Sequence, residues 1–162
     1  MTAPGEAPFS RHGHDVLEAA RALLALPDVV GTPAQREEKL RSALDRLALA
    51  YGSVKSMSFP EGEQPEPPRA EYTVVRARFA AAFPGLGFYN AVLDLSEPQK
   101  QAEVTTGDAL DDLADIALDL QEVLDRSKAS IEDALWDFRF GFQTHWGAHL
   151  RWLQLYLHGR ES

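Results

Sequence analysis

The stretch that decides the fold is Ile131–His158, IEDALWDFRFGFQTHWGAHLRWLQLYLH. It holds all three tryptophans, Trp136, Trp146 and Trp152, with Phe138, Phe140, Phe142 and Tyr156 among them. Ser130 and Asp133 are spaced as a capping pair ahead of it. A helix of this length runs about 40 Å. At about 100° per residue, Ile131, Leu135, Phe138, Phe142, His145, His149, Leu153 and Tyr156 share one face. Trp146 and Trp152 flank that face and Arg139 lies at its edge. The expectation is one long aromatic helix, packed centrally, with two histidines in the middle of its apolar stripe. Gly141 and Gly147 weaken a helix by roughly 1 kcal/mol each relative to Ala. They are expected to let a neighbouring helix or a bulky ring come close.

A second unusual helix precedes it. The text from Asp108 is DALDDLADIALDLQEVLDR, with Thr105 and Asp108 spaced to cap it. Leu110, Leu113, Ile116, Leu120 and Leu124 form one side. Asp108, Asp111, Asp112, Asp115, Asp119 and Glu122 fall on the other, within an arc of roughly 100°. Acids in the first turns are favoured by the helix dipole. Like charges three and four apart repel, however, and Asp is a poor interior helix former. A solvated face is the plain reading of this stripe, but Asp115 and Asp119, beyond the dipole's reach, are the acids that point to partner cations or a metal instead. Asp111–Asp115 also spells the DDxxD string of prenyl-diphosphate enzymes, but the chain is small for such an enzyme.

The remaining segments read as shorter helices and connections. Residues 1–9 read as a flexible tail. A helix over 10–26 ends at Pro27. Thr32, Pro33 and Gln35 carry the signature of a helix start with a capping box, opening a helix over 33–52. Residues 58–70, with four prolines, read as a linker loop inside the domain. A helix over 71–82 stops at Pro84-Gly85. Residues 83–95 read as an ordered apolar turn, and 96–106 as a polar connection. Gly85-Leu86-Gly87 lacks the preceding strand and third glycine of a dinucleotide fingerprint.

The totals bound the class. A chain of 162 residues, 44% hydrophobic and 25% charged, fits one globular domain. Folding at this size buries roughly 70% of the unfolded surface. The net charge of −9 and the lack of a Lys/Arg cluster disfavour nucleic acid. The longest apolar runs are too short to cross a bilayer, and the first residues do not read as a signal peptide. With no cysteine, the chain suits a reducing cytoplasm. The fold expected is an all-α single-domain bundle of about five helices, residues 10–158, around the aromatic C-terminal helix.

Three motifs in order carry a family resemblance. They are Phe83-Pro84-Gly85-Leu86-Gly87-Phe88-Tyr89-Asn90, then Asp111-Asp112-Leu113-Ala114-Asp115-Ile116, then Ala134-Leu135-Trp136 through His145-Trp146-Gly147 and His149. Together they resemble a bacterial family catalogued as domain of unknown function 5063. The resemblance implies a small, mainly helical protein without an established activity. It marks Asp112, Asp115, His145, Trp146 and His149 as signature positions, and it supplies no substrate or cofactor.

The candidate polar cluster is Asp111, Asp112, Asp115, Asp119, Arg139, His145, Trp146 and His149. Histidines at i and i+4 reach one ion, and carboxylates from a facing helix complete a site. Asp112, Asp115, His145 and His149 are the candidate ligands for a divalent metal. A structural role for the histidines, bonded to Asp side chains, Tyr89 or backbone carbonyls, competes with this. The first functional expectation is a non-enzymatic module whose acidic stripe, or a groove beside the aromatic helix, recognises a protein partner. The alternatives are a metal-dependent hydrolase acting on a small phosphorylated compound, and a purely structural Asp/His core.

Overall fold

A computed structural model describes residues 8–54, 60–61 and 65–161. Its helices are α1 (Pro8–Leu24), α2 (Pro33–Ser53), α3 (Tyr72–Ala82), α4 (Ala109–Ser127), α5 (Ile131–Gly141) and α6 (Gly147–Gly159). A 3₁₀ turn, Leu26–Asp28, follows α1, and a π turn, Phe142–Trp146, joins α5 to α6. The structure is predominantly helical, as the periodicity requires. No described helix is long and apolar enough to cross a membrane.

Local signals place the helices. Thr32 and Gln35 form the reciprocal capping box of α2, and Ser130 accepts from the Asp133 amide at the start of α5. Asp108 caps α4 by accepting from the Leu110 amide. Helix α1 begins at Pro8, inside the segment expected as tail; residues 1–7 of that tail lie outside the described residues. Of the Pro-rich segment, residues 60, 61 and 65–70 carry no regular structure, and 58, 59 and 62–64 lie outside the described residues.

The segment expected as a turn and a polar connection contains a small hairpin. Strand β1 (Phe88–Val92) pairs antiparallel with β2 (Val104–Asp108), with Tyr89 opposite Gly107. Periodicity does not announce it, because β1 alternates over only five residues and β2 is mostly exposed. The hairpin is seated on α6. The Tyr156 hydroxyl accepts from the Gly87 amide at 3.1 Å, and the Tyr89 and Tyr156 rings stack at 5.1 Å.

Helix α4 packs against α1, α3, α5 and α6. Leu113, Ile116, Leu120 and Val123 enter the core from it, and the last helix contributes Leu135, Phe138, Trp146, Leu150, Leu153 and Leu157. The spacing of this second set corrects the expectation of one continuous α-helix. Phe138 to Trp146 is eight residues, whereas two α-turns take about seven. The π turn absorbs the extra residue. It carries Trp146 into the core, fully buried against Phe138 and Phe142. It also turns His145 out of the apolar stripe, leaving its side chain 44% exposed.

Magnitudes explain the exchange. Emptying a buried tryptophan site costs about 3–5 kcal/mol. One disturbed backbone hydrogen bond costs about 1 kcal/mol net. Burial therefore outweighs regular helix geometry, even though Trp146 Nε1 has no hydrogen-bond partner. Gly147 makes the turn sterically possible, since a Cβ there would lie 2.1 Å from the Phe142 carbonyl oxygen.

This gives a test of sign. In an ordinary α-helix Gly→Ala stabilises by about 1 kcal/mol. Here Gly147→Ala is expected to destabilise by about 1–3 kcal/mol through overpacking, read by urea denaturation. A gain in stability would show that the π turn does not form.

Candidate functional site

The site is built on α4. Asp112 is only 4% exposed, the one buried polar or charged residue among those described. A buried carboxylate is costly unless paired, and two donors meet this one. The Tyr89 hydroxyl donates to Oδ2, and His149 Nδ1 lies 2.7 Å from Oδ1. With the carboxylate ionised, His149 is the donor of that second bond. The bond to Asp112 raises the His149 pKa above its ordinary 6.5, against burial. Burial, and then the same carboxylate, raise the pKa of Tyr89. The hairpin aims this tyrosine, because its ring lies over Gly107, where a Cβ would come within 2.3 Å of Cζ.

One turn on, Asp115 stands half-buried with Oδ2 3.6 Å from His149 Nε2. Burial raises its pKa, and the charge of His149 opposes that shift. Asp119 comes next, its Oδ2 2.7 Å from His145 Nδ1. Its other oxygen is 3.4 Å from the Arg69 guanidinium, which also pairs with Glu122. The acids at the start of α4 are met as well. Asp108 pairs with Arg76 at 2.6 Å. Asp111 accepts from Tyr72, a bond that pushes the Tyr72 pKa up to about 12. Every acid of the stripe thus has a partner within the chain, which answers the like-charge repulsion noted in the sequence.

The two histidines share one pattern. Each has Nδ1 tied to an aspartate of α4, so Nε2 is the nitrogen left for a ligand. Their rings stand 5.1 Å apart at 77°. Asp115, His145 and His149 each offer one donor atom, and the three atoms lie within 4.8 Å of one another. Metal bonds of about 2.1 Å allow donors around one ion to stand up to roughly 4 Å apart. Anchoring of the second ring nitrogen by a carboxylate is the usual support of a metal-binding histidine. Asp112, expected as a ligand, instead stands behind His149 with both oxygens engaged.

A model of the domain of unknown function DUF5063 matches residues 34–158. The chain belongs to this family. Protein BF1032 from Bacteroides fragilis, known from its crystal structure, has a similar fold to this DUF5063 chain, with a TM-score of 0.72 at 18% identity. The superposition covers 97% of this chain and 94% of that one. No curated protein matches the sequence.

Within the DUF5063 chain, then, the structure brings together Asp112, Asp115, Asp119, His145 and His149. Asp111 sits at the edge with Tyr72. Two sequence candidates lie elsewhere. Arg139 donates to the Val54 carbonyl at 2.7 Å and covers the Tyr51 ring at 5.1 Å, while Trp146 is core. Arg69 and Tyr72 were missed, since nothing in the Pro-rich segment or in the short α3 says that it packs on the acidic stripe. Beside His145 opens a cleft of about 450 Å³, lined by Glu66, Pro67 and Arg69 on one side. Asp119, Glu122 and Arg126 of α4 line it as well, with Asp137, Phe140 and His145 from the last helix.

Tyr89→Phe is expected to cost about 1–3 kcal/mol, because it leaves a buried carboxylate oxygen short of a donor. Chemical denaturation of the metal-free protein measures this. Unchanged stability would show that the hydroxyl does not serve Asp112.

Proposed function

We propose that this protein binds a divalent transition metal through Asp115, His145 and His149 and uses it to hydrolyse a small molecule. One observation carries the reading: both histidines have Nδ1 held by aspartates of α4, which leaves their other nitrogens to act with Asp115. Imidazole and carboxylate donors suit zinc, iron, nickel or manganese better than calcium. Three protein ligands leave positions open for water and substrate. A metal so held supplies a Lewis acid and lowers the pKa of bound water. In hydrolysis the water oxygen would bond to the electrophilic atom, the bond from that atom to the leaving group would break, and the leaving group would take a proton from the water.

Each residue then has a task. Asp112 and Asp119 fix the ring orientation of His149 and His145. Tyr89 donates to the buried Asp112 and so supports the carboxylate that orients His149. Arg69, itself paired with Glu122, holds the outer oxygen of Asp119. This ordering puts the hydrolytic reading ahead of the interaction module. The acidic stripe spends its charge on partners within the chain, so it offers little to a basic protein partner. A purely structural core would also pair the acids, and burial of Trp146 alone turns His145 outward; what favours the metal reading is that His145, His149 and Asp115 offer donor atoms within 4.8 Å of one another.

Zinc added to chelator-treated protein is expected to bind at one equivalent by calorimetry and to raise the melting temperature. His149→Ala and Asp115→Ala should abolish that binding, and Asp119→Asn should weaken it about 10–100-fold. Zinc, manganese, iron and nickel all failing to bind the wild type would overturn the reading.

A further inference from the structure

The cleft beside His145 names a substrate class for the proposed centre, and this step rests on that reading. Four carboxylates line it, from Glu66, Asp119, Glu122 and Asp137, against two guanidiniums, Arg69 and Arg126. Neither guanidinium is free to seek an anion; Asp119, Glu122 and Asp137 are engaged with them in turn, which leaves Glu66 and an excess of two carboxylates over guanidiniums. Arg69 is held by Asp119 and Glu122, and Arg126 by Asp137 and the Pro65 carbonyl. A phosphorylated ligand would therefore have to displace existing ion pairs and then face a surplus of negative charge.

The aromatic wall points the same way. Phe140 lines the cleft with 49% of its surface exposed, and its ring is fixed by stacking on Trp136 at 4.7 Å. An exposed aromatic face among carboxylates is an arrangement that recognises an organic cation, through its quadrupole and through Coulomb attraction. The volume of about 450 Å³ lies within the range of small-molecule sites. His145 belongs to both the cleft and the candidate metal site, and Asp119, which holds its Nδ1, also lines the cleft, so a ligand seated there lies next to the centre.

We infer that the cleft takes a small organic ammonium, and that the substrate is an amine-bearing molecule rather than a phosphorylated one. The amine sits between Phe140 and the carboxylates, and the bond to be hydrolysed extends toward His145.

The experiment is an NMR titration of the full chain, with one equivalent of zinc and again after chelation, using n-butylammonium and inorganic phosphate as probes. Butylammonium is expected to shift the Phe140, Gly141 and Thr144 amides. Its affinity should fall about two- to fivefold in Phe140→Leu and about tenfold in Glu66→Lys; both side chains are exposed enough to change without loss of the fold. Phosphate perturbing these amides at lower concentration than butylammonium would overturn the inference, as would no butylammonium shift or an unchanged affinity in Glu66→Lys. Metal content measured on the same samples separates the two readings. Bound zinc with no amine response removes the substrate class alone, and amine binding without zinc retention removes the metal centre and keeps the ammonium site.

Discussion

One extra residue in the last helix sets the arrangement of everything around it. If 131–159 were regular α-helix, His145 would lie over the core and Trp146 beside it. The π turn shifts the phase between Phe138 and Leu150, so the indole enters and the imidazole leaves. The trade is favourable because an indole gains more from burial than an imidazole, which carries two polar nitrogens into the same space. π turns recur at functional sites, and here the consequence is concrete. The histidine displaced from the core is the one that reaches Asp119 at 2.7 Å.

The second constraint is electrostatic. Helix α4 concentrates carboxylates on one side, a liability for an isolated helix. The tertiary structure spreads the cost over many partners: arginines from the Pro-rich segment and α3, tyrosines from α3 and the hairpin, and histidines from the last helix. Asp112 is the deepest of these acids and depends most on its partners. Its two donors come from β1 and α6, which gives the hairpin a role out of proportion to its size. Gly107 holds no side chain so that Tyr89 can lie across it, and Tyr89 in turn satisfies the buried carboxylate.

The helical class and the capping signals at Thr32 and Ser130 were legible in the sequence; whether the acidic stripe faced the aromatic helix or solvent was not. Asp112, Asp115, Asp119, His145 and His149 were named together in a candidate cluster that also held Asp111, Arg139 and Trp146, on spacing, charge and the family resemblance. Three further things were not legible. The hairpin escaped because five-residue strands with exposed faces give no clear alternation. The outward position of His145 escaped because a helical wheel assumes one fixed angle per residue, which a π turn breaks. Gly147 and the eight-residue step from Phe138 to Trp146 were the available hints. The role of Arg69 escaped because a Pro-rich loop carries no periodicity from which to infer what it touches.

The two halves of the last helix therefore keep separate phases. A pattern written for 131–141 on a period of 3.6 goes out of step by one residue when carried into 147–159. Length at this point of the chain matters as composition does elsewhere. Removing a single residue between Phe142 and Trp146 would leave every side chain type in place and still rotate His149 and Leu150 by about 100° relative to Phe138. A sequence profile of this helix accordingly has to treat a one-residue gap there as a change of architecture rather than as trimming of a loop.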